Sequence, residues 1–198
     1  MIMKVYKFTL LLILSSVLFF SCKKRGCADP EALNFDSEAT KDDHSCYYFW
    51  VGQSYGGGRV FYIDQTGKHG LIAAEFDLPN TQWGYAGINI TGSDATIVGS
   101  GLQNTLDNVA AGSEITAASI CNDLDTLGFS DWYLPSIEEL KGLSTTLGKI
   151  GQANLTSGYY WSSSEGDEGN AWVVLFANDA VLTTGKGAGY SVRAVRSF

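Results

Sequence analysis

Histidine is scarce in this sequence, and the spacings that mark common catalytic sites are absent. Histidine occurs only at His44 and His69, which is too few for a typical zinc site and makes a Ser-His-Asp triad improbable. The patterns G-x-S-x-G, H-E-x-x-H and G-x-x-x-x-G-K-[ST] are absent. Adjacent acids such as Glu138 and Glu139 seldom converge across one substrate bond. The sequence therefore predicts a protein without enzymatic activity.

Four cysteines carry the remaining reactive chemistry. Cys22 follows an apolar run, whereas Cys27 and Cys46 bracket a short segment. A pair of cysteines can oxidise in an exported protein, so a disulfide between Cys27 and Cys46 is expected. Cys121 stands alone on a predicted core helix and is expected to pack there as a small, free, unreactive thiol.

The first 21 residues have the organisation of a secretory signal. Lys4 and Lys7 precede an uncharged run over residues 8–20, which is shorter than the roughly 20 apolar residues that a membrane-spanning helix needs. Residues 18–22, Leu-Phe-Phe-Ser-Cys, resemble a bacterial lipoprotein lipobox. That resemblance implies lipid on Cys22 and anchoring in the bacterial outer membrane. Basic residues 23–25 follow, so the choice between the cell surface and the periplasmic face stays open.

The composition predicts one folded domain with a small appendage. The 198 residues are 45% hydrophobic and 17% charged, which excludes a disordered chain. A formal charge of −8 argues against nucleic acid as a partner. We assign residues 1–21 to a lipoprotein signal peptide, residues 22–49 to a lipidated linker with a small disulfide module, and residues 50–198 to the main domain.

Residues 26–46 resemble a short module of secreted Bacteroidetes proteins, which begins Gly-Cys-x-Asp-Pro and ends Asp-Asp-x-Ser-Cys. So small a unit needs its disulfide to fold, and closing a loop of about 20 residues contributes ~3 kcal/mol. Oxygen-bearing side chains recur in the module, and Ca²⁺ takes six to eight such ligands. The alternative is that these residues form solvated turns. No cofactor is required by this reading. The candidate calcium ligands are Asp29, Asn34, Asp36, Asp42 and Asp43.

The first half of the main domain alternates strand, loop and helix patterns. A glycine run at residues 56–58 leads into residues 59–64, which with residues 71–74 predict a hairpin with a glycine-bearing turn. The aperiodic residues 76–100 predict a long loop. Helical spacing of apolar residues predicts a first helix over residues 115–127, ending at Gly128.

A second helix and a run of strands are predicted to complete the domain. Ser136 and Glu139 have the spacing of a capping box, which predicts a helix containing Ile137, Leu140, Leu143 and Leu147. Strand patterns then alternate with turn-forming residues. The fold class is therefore α+β, with a hairpin, two helices and a C-terminal antiparallel sheet. The four strands are predicted at residues 159–164, 171–176, 180–184 and 190–198.

Several motifs in this domain resemble the DUF1566 family, also called the Lcl C-terminal domain. They include Gly-Arg-Val-Phe-Tyr at residues 58–62, Asp-Trp-Tyr-Leu-Pro-Ser at 131–136, Tyr-Trp-Ser-Ser-Ser-Glu at 160–165 and Val-Arg-Ala-Val-Arg at 192–196. The resemblance implies a C-type lectin-like fold, in which ligands meet the long loops and the exposed part of the terminal sheet. In those regions the implied ligand-binding residues are Trp83, Tyr85, Asn154, Tyr159, Ser162, Ser164, Asn170, Asn178, Asp179 and Tyr190.

The leading functional hypothesis is therefore a lipid-anchored envelope protein whose C-terminal domain binds a protein or glycan ligand. Aromatic and amide side chains suit such a surface, because rings supply contact area and amides supply adaptable hydrogen bonds. One alternative is a structural or adhesion-linked envelope component without a dedicated pocket. Another is a receptor diversified by a retroelement, because the family includes targets of such elements. The sequence does not identify the ligand.

Overall fold

The computed structural model describes residues 23–198. The predicted signal peptide and the predicted lipidation site Cys22 lie outside the described residues. The strands are β1 (Arg25–Gly26), β2 (Lys41–Asp42), β3 (Ser54–Tyr55), β4 (Gly58–Ile63), β5 (Gly70–Ala74), β6 (Leu78–Thr81), β7 (Tyr159–Glu165), β8 (Asn170–Leu175), β9 (Ala180–Gly185), β10 (Tyr190–Val192) and β11 (Val195–Ser197). The helices are α1 (Gly101–Ala110), α2 (Ala117–Asn122) and α3 (Ile137–Leu143), the last continued by a π-helical turn, Ser144–Gly148.

These elements form a mixed α+β structure that is mostly β. One sheet has the strand order β11-β5-β4-β3, and a second has the order β6-β10-β7-β8-β9. A third, two-stranded sheet joins β1 to β2. Within residues 23–198, no helix combines the length and apolar character that crossing a membrane requires.

The N-terminal module is held by the predicted disulfide, which is confirmed. The Sγ atoms of Cys27 and Cys46 are 2.10 Å apart. Cys27 and Ala32 are almost fully buried, whereas most other side chains of the module are exposed or half-buried. With so little apolar burial, the cross-link is a main source of stability for this module.

The predicted hairpin is also confirmed, as β4 paired antiparallel with β5. Gly58 allows this pairing, because a Cβ there would lie 2.1 Å from the carbonyl oxygen of Ala73. The C-terminal strand β11 pairs antiparallel with the other edge of β5. The two ends of the main domain therefore meet in one sheet.

The predicted final strand over residues 190–198 is wrong as one element. It divides into β10 in the larger sheet and β11 in the smaller, with Arg193 between them. The buried Arg193 guanidinium donates to the carbonyl oxygens of Ala74 at 2.6 Å and Ala153 at 2.5 Å, and pairs with Asp77. These bonds hold the chain at the point where it passes between sheets.

The larger sheet is not entirely antiparallel, and the predicted long loop contains one of its strands. β7, β8 and β9 form the expected antiparallel meander, but β10 pairs parallel with β7. The outer strand β6 lies within residues 76–100 and pairs with β10. Its sequence, Leu-Pro-Asn-Thr, contains a proline and carries no alternation, so its pairing was not predictable from local pattern.

The second predicted helix is confirmed, and the first is shorter than expected. Ser136 and Glu139 form the capping box of α3. The first predicted helix corresponds to α2, which begins after a capping box of Thr116 and Ser119 and ends at Asn122. Leu127 therefore lies outside the helix, in a tight turn with Gly128 in which both residues have positive φ. Helical spacing at Leu127 was coincidental.

Helix α1 buries its polar side, and sequence periodicity did not identify it. Asn104, Thr105 and Asn108 are 1% exposed or less, whereas Leu102 and Leu106 are 47% and 43% exposed. The amide of Asn104 donates to the carbonyl oxygen of Ala95 at 2.6 Å, so this face binds loop backbone rather than apolar core. An apolar stripe does not mark the buried face of such a helix.

Two apolar clusters flank the larger sheet. One contains Trp83, Trp132 and Trp161, each 2% exposed or less, together with α2. The other packs Leu140, Leu143 and Leu147 of α3 and its π-helical turn against the opposite face. Cys121 lies in the first cluster and is free, as expected. Burial raises the pKa of its thiol, which leaves it unreactive.

Candidate functional site

The predicted ligand-binding residues do not form one surface. Trp83, Ser162 and Ser164 are fully buried, which corrects their placement on a recognition face. The indole of Trp83 donates to the carbonyl oxygen of Ser162 at 2.7 Å. Tyr85 is 9% exposed, and its hydroxyl accepts the N–H of Glu114 at 3.3 Å. These side chains stabilise the core and the loops over it.

The other predicted residues are accessible but are distributed along the sheet and its turns. Asn154 and Asn178 are exposed, and Asn170 and Asp179 are half-buried. Asn170 is held by a local turn contact with Asp167, and Asp179 by Ser144 and Lys149 at the end of α3. Of the predicted aromatics, Tyr159 and Tyr190 do meet, with ring centroids 5.1 Å apart.

A buried ion pair explains why the long loop around Trp83 is held in place. The Lys186 ammonium pairs with the Glu165 carboxylate, both almost fully buried, and lies 4.9 Å from the centroid of the Trp83 ring. Lys186 also donates to the carbonyl oxygen of Ile88 at 2.7 Å, and Glu165 accepts the N–H of Ile90 at 3.0 Å. Buried charges require such partners, so these two residues support the loop.

Glu139 is another buried acid with a structural task. Its two carboxylate oxygens accept the N–H groups of Gly99 at 2.7 Å and Ser136 at 2.8 Å. Burial raises the pKa of Glu139, against the lowering effect of these hydrogen bonds. The carboxylate joins the start of α3 to the segment leading into α1. Its exposed neighbour Glu138 makes no such contacts, so the pair has no shared role.

The five candidate calcium ligands do not converge. Asp29 and Asp36 accept backbone N–H groups two residues ahead, as do Asp42 and Asp43. Asn34 bonds to the backbone of residues 45 and 47. Among residues 23–198, no group of three or more His, Cys, Asp or Glu side chains is placed to hold a metal ion. The hydrogen bonds of these five residues fit the turn-forming alternative for this module.

An open groove lies at the edge of the smaller sheet. Its volume is about 350 Å³. Around it Tyr55, Phe76 and Leu127 are 46%, 43% and 74% exposed. We call it the glycine groove. Its lining residues are Ser54, Tyr55, Gly56, Gly57, Gly58, Glu75, Phe76 and Leu127.

The floor of the glycine groove is bare backbone for a structural reason. Gly56 and Gly57 both have positive φ, which L side chains rarely adopt. A Cβ on Gly57 would lie 2.9 Å from the ring of Phe129, and one on Gly56 would lie 2.7 Å from the Arg196 guanidinium. That guanidinium in turn pairs with Asp131 and holds the pKa of its carboxyl below the usual range. Packing beneath the floor therefore disfavours side chains at these two positions.

Leu127 is the least expected residue of the groove. Its φ is 53° in a turn closed by pairing of Thr126 with Phe129. A leucine in this conformation costs about 1–2 kcal/mol relative to glycine. Its side chain is 74% exposed, so burial in the fold does not offset that cost. A hydrophobic wall for a bound molecule would account for the side chain.

Glu75 and Ser54 supply polar groups at the same site. One Glu75 oxygen, Oε1, accepts from Arg59 at 2.8 Å and from the Ser54 hydroxyl at 3.3 Å. Within residues 23–198, the second oxygen makes no hydrogen bond, and the Glu75 side chain is 42% exposed. A free acceptor therefore lies beside the apolar walls.

Sequence reasoning missed this groove because its walls come from three distant segments. The glycine run was recognised only as the entry to the hairpin. Tyr55, Phe76 and Leu127 share no motif. The one local signal was Leu127 directly before Gly128, at the end of the first predicted helix, because leucine is an unusual residue for a tight turn.

Comparison with known proteins places the chain in a family. A search of curated proteins returned no match. Among solved structures, a fimbrial protein from Bacteroides ovatus ATCC 8483 is similar, with a TM-score of 0.44 and 17% identity. The match covers 64% of this chain and 35% of that one, so this chain spans about a third of its length. A family model described as the Lcl C-terminal domain matches residues 79–196, more than half of the sequence. The chain therefore belongs to the Lcl C-terminal domain family.

Proposed function

We propose that this protein is a lipid-anchored component of a bacterial envelope that binds a protein or glycan ligand and catalyses no reaction. The binding site in this proposal is the glycine groove. The observation that carries it is the exposed, conformationally costly Leu127, which lines the groove together with Phe76, Tyr55 and the backbone of residues 56–58. A C-type lectin-like fold is part of the proposal, and the meeting of both domain ends in one sheet supports it.

Between the two ligand classes, the chemistry of the groove favours a glycan. The apolar face of a sugar ring can pack against Tyr55 or Phe76, because aromatic faces carry partial negative charge and attract polarised C–H groups. Sugar hydroxyls can then donate to the free oxygen of Glu75 and exchange hydrogen bonds with Ser54. A protein ligand would use the same apolar walls with fewer of the polar groups.

One feature of the groove supports binding without hydrolysis. Glycosidases generally use a pair of carboxyl groups on either side of the scissile bond. Glu75 is the one carboxylate among the residues that line the groove, and it is already bonded to Arg59.

Membrane attachment is the second part of the proposal. A basic start, an apolar run and Ser21-Cys22 support acylation of Cys22 and location in the outer membrane, on either face. In cells fed an alkyne fatty acid, the full-length wild type should become labelled, whereas the Cys22→Ala variant should not. Persistent labelling of the variant would contradict the assignment.

Binding is tested with glycan and protein arrays probed by the full chain and by groove variants. Phe76→Ala removes one ring, and Leu127→Asn removes the apolar wall while placing a residue that tolerates positive φ. We expect each variant to bind at least tenfold more weakly than the wild type to the array ligand for which the wild type has the highest affinity. Ile115→Asn is the matched control, because Ile115 is 72% exposed in a different loop.

Two results would contradict the proposal. If Leu127→Asn and Phe76→Ala bound with undiminished affinity, the groove would not be the site. If the wild type retained no glycan and no protein, the structural or adhesion-linked alternative would be favoured.

A further inference from the structure

Strand β9 is an unprotected outer edge of the larger sheet. It pairs with β8 over six residues, from Ala180 opposite Leu175 to Gly185 opposite Asn170, without a bulge. No strand among residues 23–198 pairs with its other side. Edge strands expose a row of backbone donors and acceptors that can pair with another chain.

The direction of the backbone groups follows from the hydrogen bond at the end of the strand. The N–H of Lys186 donates to the carbonyl oxygen of Gly169 at 3.0 Å, on the β8 side. Because the direction alternates along a strand, Thr184, Leu182 and Ala180 also bond toward β8. Val181 and Thr183 therefore point their N–H and C=O groups outward, where the described residues supply them with no hydrogen bond.

The edge lacks the features that usually prevent pairing. Its sequence, Ala-Val-Leu-Thr-Thr-Gly, has no charge and no proline, whereas natural edges commonly carry lysine, proline or a bulge. At one end, Asp179 is held by Lys149 and Ser144. At the other, the turn over residues 185–189 contains three glycines, and a Cβ added to any of them would meet no atom within 4 Å. These three glycines carry no side chain that would obstruct a second strand.

We infer that β9 pairs antiparallel with β9 of a second copy of this chain, about a two-fold axis at Leu182. In this register Val181 of each copy faces Thr183 of the other, and the outward groups of these residues form four hydrogen bonds. Identical edges satisfy each other because the outward residues are related by the same axis. Residues 180–185 carry no charge, so the paired segments themselves add no charge repulsion.

The side chains also suit this register. Val181 and Thr183 lie on the face of Trp172 and Val174, their neighbours on β8. A hollow of about 140 Å³ lies beside the edge on that face, lined by Thr96, Ile137, Glu138, Trp172 and Val181. The second copy would cover it with Thr183, and both Val181 and Thr183 are β-branched residues that suit a pleated sheet surface. Pairing of β9 requires neither the proposed ligand nor the proposed lipid anchor.

Cysteine cross-linking of the full chain in cells tests the register. At a non-hydrogen-bonded antiparallel pair, Cα atoms lie about 4.5 Å apart, within the range of a disulfide. Leu182→Cys treated with copper phenanthroline should therefore give a covalent dimer on a non-reducing gel. Ala180→Cys is the matched control, because its image in the second copy lies about 14 Å away along the strand. Ala180→Cys and the wild type should stay monomeric on the gel.

A proline at the edge tests whether strand pairing causes the contact. In the Leu182→Cys background, Thr183→Pro removes an outward N–H and no bond to β8, so the fold should persist and the cross-link should be lost. Thr183→Lys should have the same effect through charge repulsion, and urea denaturation reports whether each variant folds.

Three outcomes would overturn the inference. They are failure of Leu182→Cys to cross-link, equal cross-linking of Ala180→Cys, and a product whose mass shows a different protein as the partner.

Discussion

At the scale of single residues, several charged side chains are buried, although such side chains usually lie at the surface. Glu139, Glu165, Lys186 and Arg193 are at most 4% exposed. Each has a partner that stabilises its charge, through backbone N–H groups, an ion pair or carbonyl oxygens. Buried charges of this kind act on conformation, because losing one partner leaves the other uncompensated. In this chain they position loops and strand crossings.

The buried Glu139 carboxyl should make the free energy of unfolding decrease as pH rises. Its folded pKa is raised above the ordinary value of 4.5, chiefly by burial. The native state therefore binds the proton more tightly than the unfolded state, and the contribution to stability falls as pH rises above 4.5 through the raised pKa. In urea denaturation, the stability of wild type relative to Glu139→Gln should be constant below that pH and decrease above it.

Glu138→Gln provides the control, since Glu138 is exposed at the adjacent position. This variant should change the free energy of unfolding by no more than about 0.5 kcal/mol. A stability difference between wild type and Glu139→Gln that increased with pH would show that the hydrogen bonds outweigh burial at this carboxyl.

At the scale of elements, α1 shows that the polar side of a helix can be its buried side. Thr105 accepts the N–H of Leu134 at 3.0 Å, and both residues are fully buried. Thr105→Val keeps the shape but leaves that N–H without its acceptor, which should cost about 1–3 kcal/mol. Guanidinium or urea denaturation measures the loss.

Leu106→Gln on the opposite side of α1 is the matched comparison. Leu106 is 43% exposed, so we expect a change within about 0.5 kcal/mol. If Leu106→Gln destabilised the protein more than Thr105→Val, the orientation of α1 would be the reverse of the one described.

At the scale of the whole molecule, the disulfide between Cys27 and Cys46 stabilises the N-terminal module more than it stabilises the main domain. Replacing Cys27 and Cys46 by serine should remove ~3 kcal/mol from the local stability of residues 23–48. Hydrogen exchange should accelerate there and stay unchanged in β4 and β5, which pair with each other in the core sheet. Reduction of the wild type should reproduce the effect. Equal acceleration in β4 and β5 would show that the two parts unfold together.

Local signals in the sequence determined several elements by themselves. The capping box of Ser136 and Glu139 places α3, the glycine-bearing turn places the β4–β5 hairpin, and the spacing of Cys27 and Cys46 places the disulfide. In each case the interacting groups are close in sequence or carry a distinctive chemistry, so the pattern contains the structural information. The family resemblance rests on such motifs too, and the family match confirms it.

Tertiary structure alone decided which polar and aromatic residues are buried. Trp83 is in the core because Ser162 and Lys186, far along the chain, surround it. The glycine groove exists because Leu127 and Phe76 are brought beside the floor at Gly57. The exposed edge of β9 likewise follows from strand order. Burial depends on the elements that pack against a segment, and that information is absent from the periodicity of the segment itself.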